Sequence, residues 1–197
     1  MSDSLPLSII IVNWNVSADL ARCLDSLRAN VEPAREIIVV DNASHDDSLE
    51  VLKGYPEVQV IANAENRGFA AANNQGLAIA RGAYVLLLNP DTLVPPGALA
   101  QLLAFAERVP RAGVVGPRLL NADGSLQASC RHFPTVRAAL FRHTFLERLF
   151  PHAAATRDYL MADWDHSDQR EVDWVSGAAL LASWSCIQRI GLLDPAF

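Results

Sequence analysis

The stretch "EIIVVDNAS", residues 36–44, places a run of Ile and Val directly before an acid, an amide and a hydroxyl. An uninterrupted apolar run of this kind is typical of a strand buried on both faces of a parallel sheet. Asp41, Asn42 and Ser44 would then lie at the carboxyl end of the strand, the edge where open α/β sheets bind their ligands. The stretch therefore predicts both a fold class and the position of a site.

A second stretch, "VLLLNPDT" at residues 85–92, repeats this order of an apolar run followed by polar side chains. Asn and Asp are also common turn residues, so one such strand end is weak evidence for binding. Four predicted strands end in this way, and the carboxyl ends of parallel strands meet at one edge, which favours a single binding site over turns alone. The residues at these strand ends are Asn13, Asn15, Asp41, Asn42, Asn63, Asn66, Asn89 and Asp91.

Short apolar runs alternate with helical patterns along the first 117 residues. This β-α-β-α alternation predicts an α/β fold with a mainly parallel sheet flanked by helices. The predicted strands cover residues 7–12, 36–41, 58–63, 83–89 and 112–117. Helices are predicted after an N-cap at Ser17, after Asp46 and Asp47, over residues 68–82, and after Pro95 and Pro96.

Beyond Pro117 the alternation is weaker. The segment "NADGS" at 121–125 predicts the turn of a hairpin. The buried pattern "DWVSGAALLAS", residues 173–183, predicts a strand, and Ser183 is placed to cap a last short helix. In that helix Ile187 and Ile190 are expected to face inward.

The composition excludes several classes of protein. The chain has 197 residues and a net charge of −6, which argues against a nucleic-acid binder because such proteins carry clustered Lys and Arg. The three cysteines are far apart and show no zinc-site or disulfide spacing, as expected in a reducing compartment. The first residues lack the basic flank of a signal peptide. A soluble, cytoplasmic protein is therefore expected.

The segment "FRHTFLERLF", residues 141–150, has the pattern of an amphipathic helix. It could act as a lid or packing helix, or it could make peripheral contact with the inner face of the cell membrane.

The usual backbone cradles for phosphate are missing. "VNWNVS" stands where a G-x-G-x-x-G fingerprint would follow the first strand, and no P-loop occurs. A diphosphate could instead be held through a divalent cation, because Mg²⁺ often uses one or two carboxylates together with phosphate oxygens. Asp91 is the best candidate for that carboxylate. Asp41 can accept a hydrogen bond from the imide N–H of uracil or thymine.

Four stretches together resemble family 2 glycosyltransferases of the GT-A (Rossmann-like) fold, and most closely the rhamnosyltransferase-like branch that builds cell-surface polysaccharide. The resemblance extends over nearly the whole chain with the motifs in order. It implies a nucleoside-diphosphate sugar as donor, a saccharide or lipid-linked acceptor, and Mg²⁺ or Mn²⁺ as cofactor. The stretches are "SIIIVNWN", "EIIVVDNAS", "NAENRGFAAANNQGLAIARGAYVLLLNPDT" and "VDWVSGAALLASWSCIQRIGLLDPAF".

The resemblance also implies roles for individual residues. It makes residues 1–117 the nucleotide-sugar-binding core and 118–197 a partial acceptor-side region of the same domain. Asp91, in the stretch that corresponds to the family's D-x-D, would hold the metal and the donor diphosphate. Trp174, Ser176 and Gly177 would face the sugar and the acceptor. The nucleotide-binding residues would be Val12, Asn13, Asn15, Asp41, Asn66, Arg67, Gly68, Asn73 (or its neighbour Asn74), Asn89 and Asp91.

The sequence departs from the family pattern in two places. The first acid of D-x-D is Asn89 here, so Asp91 would carry most of the metal contact. In the family the segment "GLLDPAF" leads into an acidic stretch with the catalytic base, which implies that the base lies beyond Phe197 and that the chain is a truncated portion of a longer enzyme. Asp194 is the late carboxylate that could substitute, although an Asp beside Pro195 also suits a turn.

Two other functions remain possible from the sequence. The chain could be a non-catalytic nucleotide-sugar-binding remnant that lacks the base, and turnover would separate this from an inverting transferase. It could also be a receiver-like phosphoacceptor domain, because Asp41 ends a strand. Such a domain needs an acid cluster after the first strand, whereas Asn13 and Asn15 are amides.

Overall fold

The structure is a computed structural model that describes residues 5–133, 159, 161 and 163–196. The chain divides into two compact units, Met1–Val115 with Gly177–Phe197, and Gly116–Ser176. The amphipathic segment predicted at residues 141–150 lies outside the described residues.

Strands and helices follow one another in the order expected of an α/β protein. The strands are β1 (Leu7–Asn13), β2 (Arg35–Asp41), β3 (Val58–Ala62), β4 (Tyr84–Leu88), β5 (Val114–Val115), β6 (Leu119–Leu120), β7 (Leu126–Gln127), β8 (Cys130–Arg131), β9 (Trp174–Val175) and β10 (Ala179–Ser183). The helices are α1 (Ser17–Ala29), α2 (Ser48–Leu52), α3 (Phe69–Ile79), α4 (Ala98–Arg108) and α5 (Trp184–Ile190).

The first unit contains a six-stranded sheet in the order β3-β2-β1-β4-β10-β5. Strands β1 to β4 are mutually parallel, and β10 runs antiparallel to both β4 and β5. The predicted mainly parallel sheet with flanking helices is thus confirmed. Because β2 and β4 both pair with β1, their carboxyl ends lie on either side of the carboxyl end of β1.

The middle of the sheet is buried on both faces, as the continuous apolar runs predicted. Ile9, Ile10 and Ile11 of β1 have no exposed surface. Helix α1 packs its apolar stripe inward, and Cys23 belongs to that stripe, as the sequence indicated. Burial of this apolar surface is the main stabilising contribution, at roughly 25 cal/mol per Å².

A polar network crosses the opposite, amino-terminal edge of the sheet. The buried Glu36 carboxylate accepts hydrogen bonds from Ser8 Oγ at 2.6 Å, from the Arg81 backbone N–H at 2.6 Å and from Gln59 Nε2 at 3.0 Å. The Arg81 guanidinium forms an ion pair with it at 2.9 Å. Burial by itself would raise the pKa of Glu36, but these hydrogen bonds outweigh burial and lower that pKa. The network joins β1, β2, β3 and the segment before β4.

Several predicted element bounds differ from the structure. Ser17 is the first residue of helix α1 and Val16 is its N-cap residue, so the predicted Ser17 N-cap is wrong. The fifth strand is only Val114–Val115, and helix α3 is shorter than residues 68–82. The strand predicted over residues 173–183 is two strands, β9 and β10, separated by a turn.

The last helix follows its prediction in part. Ser183 Oγ accepts a hydrogen bond from Cys186 N at 3.2 Å, which confirms the predicted cap. Ile187 packs against the core, but Ile190 is 72% exposed, so its predicted inward orientation is wrong. Ile190 is the last residue of this seven-residue helix, directly before the C-cap Gly191, where the chain leaves the helix.

The sequence placed a division after residue 117, with residues 118–197 as one region. In the structure the compact units separate after Val115, and the chain returns to the first unit at Gly177. Gly177–Phe197 belongs to the first unit because β10 pairs with β4. The division into a nucleotide-sugar-binding core and an acceptor-side region concerns function and stays a prediction.

The second unit contains two short antiparallel pairs. Strands β6 and β7 form the predicted hairpin, whose turn is closed by the hydrogen bond from Asn121 N to Ser125 O at 2.8 Å. Strands β8 and β9 pair so that Arg131 lies opposite Trp174. The Arg131 guanidinium lies over the Trp174 ring, 5.3 Å from its centroid.

Candidate functional site

The strand ends predicted to form a site lie along one edge of the first unit's sheet. In the β1–β2 register Asn13 is the partner of Asp41, and in the β2–β3 register Asp41 is the partner of Ala62, next to Asn63. Strand β4 lies on the other side of β1, and its last residue precedes Asn89. Asp41 and the Asn89–Asp91 segment therefore follow strands that end at the same edge.

Asn13, Asp41 and Ser44 form a hydrogen-bonded cluster at the centre of this edge. Asn13 Nδ2 donates to Asp41 Oδ1 at 2.9 Å and to Ser44 Oγ at 3.1 Å. The Ser44 backbone N–H donates to Asp41 Oδ2 at 3.0 Å, with Ala43 between them in the left-handed region at φ 63°. The cluster connects the ends of β1 and β2 through side chains as well as through the backbone.

The Asp41 carboxylate is only 1% exposed, and both of its oxygens accept hydrogen bonds within the protein. Each carboxylate oxygen has more than one acceptor position, so these bonds leave Asp41 able to accept another. Asn13 Oδ1 is a buried acceptor without a hydrogen-bond partner among the described residues. Since buried polar groups normally have partners, Asn13 Oδ1 marks this cluster as incomplete in the free protein.

A second set of contacts orders the starts of α1 and α2. Asn15, at φ 56°, accepts a hydrogen bond from His45 N at 2.6 Å, and its own N–H donates to Ser44 Oγ at 3.0 Å. Asp46 accepts from the Ser17 N–H at 2.8 Å. Desolvation raises the pKa of Asp46, but hydrogen bonds from Ser48 and Ser17 outweigh it and lower that pKa to about 2. Val12 is half-buried and packs against the core, so its side chain supports this edge.

Asn42 organises the loop that joins β3 to α3. Its Oδ1 accepts from Asn63 Nδ2 at 3.1 Å and from the Arg67 N–H at 3.0 Å, and its Nδ2 donates to Asn66 Oδ1 at 2.7 Å. Gly68, at φ 79°, begins α3 as its N-cap residue. The predicted nucleotide-binding residues Asn66, Arg67 and Gly68 are therefore close to the end of β2.

The two candidates within α3 have different environments. Asn73 is buried, and its Nδ2 donates to Phe69 O at 2.9 Å, one turn earlier in the same helix. Asn74 instead exchanges two hydrogen bonds with the backbone of Leu193, at 2.7 and 3.0 Å. Asn73 therefore has a partner within α3, whereas Asn74 connects α3 to the segment after α5.

The Asn89–Asp91 segment is a tight turn. Thr92 N donates to Asn89 O at 3.2 Å, with Pro90 at the turn position that Pro favours. The Asn89 N–H donates to Ala178 O at 2.9 Å, which connects the turn to the residue before β10. Asp91 is exposed, and no described residue forms a hydrogen bond or ion pair with its carboxylate. The turn thus presents Asp91 to solvent at the edge where β1, β2 and β4 end.

Cys23 of α1 lies beneath this turn. Its Sγ is 3.9 Å from Asn89 O. Burial, and secondly the negative charge of Asp91, raise the pKa of the Cys23 thiol to about 12. Cys23 is therefore a packing residue that supports the turn, as its place on the apolar face of α1 indicated.

The donor set around the turn suits a hard cation that is bound jointly with phosphate. The described part of the chain contains no cluster of three or more His, Cys, Asp or Glu side chains that could hold a metal by itself. Mg²⁺ and similar ions keep water and phosphate oxygens and need only one or two protein carboxylates. The exposed carboxylate of Asp91, with the Asn89 amide two residues earlier, suits a cation that is bound jointly with phosphate. It does not suit a site in which protein side chains alone surround the cation.

The candidate acceptor residues fall on either side of the boundary between the two units. Trp174 and Ser176 belong to the second unit, where the Ser176 N–H donates to Ser129 O at 2.7 Å. Gly177 belongs to the first unit. Asp194, the candidate base, is exposed and accepts a hydrogen bond from Ala196 N at 2.9 Å, which is the contact of a turn-forming Asp.

Sequence reasoning missed two features of this edge. It treated Asn42 as one strand-end residue among several, whereas Asn42 contacts four residues of one loop. It also did not find the support that Ala178 gives to Asn89. The order of polar residues signalled both strand ends, but no local pattern indicates which amides contact each other.

The sheet order and the polar edge define a GT-A α/β fold, and solved structures share it. The mannosyltransferase PcManGT from Pyrobaculum calidifontis, in complex with GDP-Man and Mn²⁺, matches 96% of this chain and 47% of its own, with a TM-score of 0.64 and 20% identity. S. aureus TarS (residues 1-349) matches 64% of this chain and 41% of its own, with a TM-score of 0.55 and 23% identity.

The chain belongs to glycosyl transferase family 2, because the model of that family matches residues 8–157. A curated relative is N-acetylglucosaminyl-diphospho-decaprenol L-rhamnosyltransferase of Mycobacterium tuberculosis, with 30% identity over 100% of this chain and 67% of the relative. The family resemblance inferred from the motifs is thereby confirmed. The chain spans about two thirds of this relative and less than half of each of the two solved proteins.

No helix among the described residues is long and apolar enough to span a membrane.

Proposed function

We propose that this chain binds a nucleoside-diphosphate sugar at the carboxyl edge of β1 to β4 and serves as the donor-binding part of a glycosyltransferase. The donor is dTDP-rhamnose or a UDP-sugar. The acceptor is a saccharide or a lipid-linked saccharide in cell-surface polysaccharide synthesis. The observation that carries this proposal is the placement of Asp41 and Asp91 after parallel strands that flank β1 at one edge.

Relatives support the choice of substrates. The mycobacterial relative is named as a rhamnosyltransferase that acts on a diphospho-decaprenol-linked sugar. Crystal structures of S. aureus TarS contain UDP-GlcNAc or UDP, and that of PcManGT contains GDP-Man. A lipid-linked acceptor would bring the enzyme to the inner face of the cell membrane from the cytoplasm.

The residues at this edge have two proposed roles: some contact the base of the donor and others contact its diphosphate. Asp41 accepts a hydrogen bond from the imide N–H of uracil or thymine, and its bonds to Asn13 and Ser44 fix the orientation of its carboxylate. Arg67 is exposed, and its guanidinium is available for phosphate oxygens. Asp91, together with Asn89, would hold Mg²⁺ or Mn²⁺ against the donor diphosphate. A metal bound there supplies charge stabilisation for the departing nucleoside diphosphate.

The transfer step needs a general base for the acceptor hydroxyl, and losing one costs roughly 10²–10⁴-fold in rate. Asp194 is already engaged by Ala196 N in a turn, so we do not assign it this role. Trp174, Ser176 and Gly177 are proposed to face the sugar and the acceptor, on the basis of the family pattern.

Calorimetric titration with UDP and dTDP, with and without Mg²⁺ or Mn²⁺, tests donor binding. We expect affinity in the micromolar class that the metal enhances. Asp91→Ala should remove the enhancement. Asp41→Ala should weaken binding of UDP and dTDP and reduce their preference over GDP, which is titrated as the purine comparison. Glu107→Ala changes an exposed acid of α4 and is the matched control. Unchanged affinity in both site variants would refute the assigned roles.

Turnover of the 197-residue chain is a separate question. A mass-spectrometric assay with dTDP-rhamnose and a lipid-diphosphate-linked GlcNAc acceptor would detect transfer. Donor binding without product would favour the non-catalytic alternative for this chain, whereas product would establish a transferase.

A further inference from the structure

We infer that Asn42 is a positioning residue for donor binding: its buried amide holds the loop of residues 63–68 in the conformation that presents Arg67 to the diphosphate. This inference rests on the proposed function, because it concerns how the same edge recognises its ligand. Asn42 is buried, and loop residues occupy all the hydrogen-bonding positions of its amide, so it acts through the loop and not by contact with the donor.

The Asn42 amide uses its full hydrogen-bonding capacity on this loop. Its Oδ1 accepts from Asn63 Nδ2 at 3.1 Å and from Arg67 N at 3.0 Å. Its Nδ2 donates to Asn66 Oδ1 at 2.7 Å and to Gly68 O at 3.5 Å. A primary amide has two donor hydrogens and one oxygen with two lone pairs, so the loop satisfies all four positions.

Other side chains cannot make this set of contacts. Aspartate has the shape of Asn42 but no hydrogens, so it would direct lone pairs at Asn66 Oδ1 and Gly68 O. Alanine would leave the Arg67 N–H without its acceptor and would remove one of the two acceptors of Asn63 Nδ2. The contacts therefore require both the shape and the donor–acceptor arrangement of asparagine.

The position of Asn42 is fixed independently of the loop. Its backbone N–H donates to Asn13 O at 2.8 Å, at the junction of the parallel strands β1 and β2. The Asn42 side chain therefore fixes the position of the loop relative to the end of the sheet.

The loop carries a cation for which the described residues provide no counter-ion. Arg67 is exposed, and no described residue forms an ion pair or a hydrogen bond with its guanidinium. The backbone N–H of Arg67, in contrast, is held by Asn42 Oδ1. The backbone is anchored while the side chain is left for a ligand, which is the arrangement of a preorganised anion contact.

The far end of the loop has its own support. Asn63 and Gln75 exchange hydrogen bonds at 2.8 and 2.9 Å, which connect the end of β3 to α3. Loss of the Asn42 amide should therefore disorder the segment around Arg67 while the sheet and α3 remain folded.

The first measurement needs no ligand. In the free 197-residue chain, amide hydrogen exchange should show that the Arg67 N–H is protected in the wild type and loses protection in Asn42→Ala and Asn42→Asp. Ser8→Ala, which removes a buried hydroxyl at the opposite edge of the sheet, is the control for general destabilisation. Protection of the Arg67 N–H that survives both Asn42 substitutions would overturn the inference.

The second measurement is the affinity for UDP and dTDP with Mg²⁺, at a temperature where circular dichroism shows every variant folded. Asn42→Ala should weaken binding about tenfold, the cost of misplacing one charged donor. Ser8→Ala should leave the affinity unchanged. The neutral Asn42→Ala variant avoids the added charge that complicates Asn42→Asp.

A double-mutant cycle identifies the route of the effect. In the Arg67→Ala background, Asn42→Ala should cost less than about twofold in affinity, because residues that act through one contact are not additive. A full tenfold loss in that background, or an unchanged affinity of Asn42→Ala in the wild-type background, would overturn the inference. Failure of the wild type to bind either nucleotide would instead refute the proposed function, and the inference with it.

Discussion

Asn13 Nδ2 donates a hydrogen bond of 2.9 Å to Asp41 Oδ1 across the ends of two parallel strands. These residues are also partners in the β1–β2 register. The acid proposed to read the base is thus part of a buried cluster, and a change at this acid affects the fold and the ligand together.

Asp41→Asn tests this double role. The new NH₂ group would face a donor, either Asn13 Nδ2 or the Ser44 N–H, so one buried donor loses its acceptor. We expect a loss of about 1–3 kcal/mol in the free energy of unfolding, measured by urea titration without ligand. Asp47→Asn, at an exposed position without a side-chain cap bond, is the control. Wild-type stability of Asp41→Asn would mean that the cluster does not form in solution.

Glu36 should make stability depend on pH. Its pKa is lowered in the folded state, because the hydrogen bonds from Ser8, Arg81 and Gln59 outweigh burial. A lowered pKa adds stability that is present above the unfolded value of about 4.3 and is lost as the pH falls through the folded value. Urea unfolding of the wild type should therefore lose stability below about pH 4.3 more steeply than that of Glu36→Gln.

Glu36→Gln should also destabilise the protein at neutral pH by about 2 kcal/mol, because the buried hydrogen bonds lose their charged acceptor. Glu107→Gln, on the surface of α4, should show neither effect. Parallel pH profiles for wild type and Glu36→Gln would contradict the pKa assignment.

The cysteines should differ in reactivity. Burial, and secondly the charge of Asp91, raise the pKa of the Cys23 thiol to about 12, so it carries very little thiolate at pH 8, and it is also buried. Cys186 is partly exposed on α5. Iodoacetamide should therefore modify Cys186 well before Cys23 in the native protein, as read by peptide mass spectrometry, and both equally in urea. Fast native labelling of Cys23 would show that the Asn89–Asp91 turn does not cover it.

Gly82 is predicted to tolerate no side chain. A Cβ there would lie 2.4 Å from Ser8 N and 2.6 Å from Leu7 C, both of them backbone atoms that cannot move aside. Gly82→Ala should cost about 3 kcal/mol of stability by thermal or urea unfolding. Gly191→Ala has open space but a φ of +87°, so it should cost only about 1 kcal/mol. A loss for Gly82→Ala no larger than that for Gly191→Ala would show that the backbone near Ser8 can shift to accommodate the added methyl group.

The sheet was largely predictable because its strands are buried on both faces. Ile9, Ile10 and Ile11 of β1 form an unbroken apolar run. The intervening helical segments impose parallel connections. Strand β10 was recognised as apolar, but its place between β4 and β5 was not predicted. Pairing with a distant strand depends on long-range packing that no local pattern encodes.

The edge of the site was predictable for the same reason, since parallel strands bring their carboxyl ends together. The contacts that each residue makes at this edge were not predictable. Asn13, Asn42 and Asn63 are chemically identical amides in the sequence, yet Asn13 contacts the Asp41 cluster and Asn42 holds a loop. The hydrogen bond from the Ser17 N–H to Asp46 could not be predicted either, because the two residues are 29 positions apart in the chain.

The antiparallel strand β10 has a consequence for biosynthesis. Ala178, immediately before it, accepts the Asn89 N–H and lies near the hydroxyl of Thr92, a residue 86 positions earlier in the chain. Contacts of such long sequence separation form late, because the intervening chain must first be closed into a loop. A ribosome-bound nascent chain that has exposed only β1 to β4 would thus lack the anchor for its Asp91 turn. The metal–diphosphate binding proposed for this turn would then arise only after β10 had emerged.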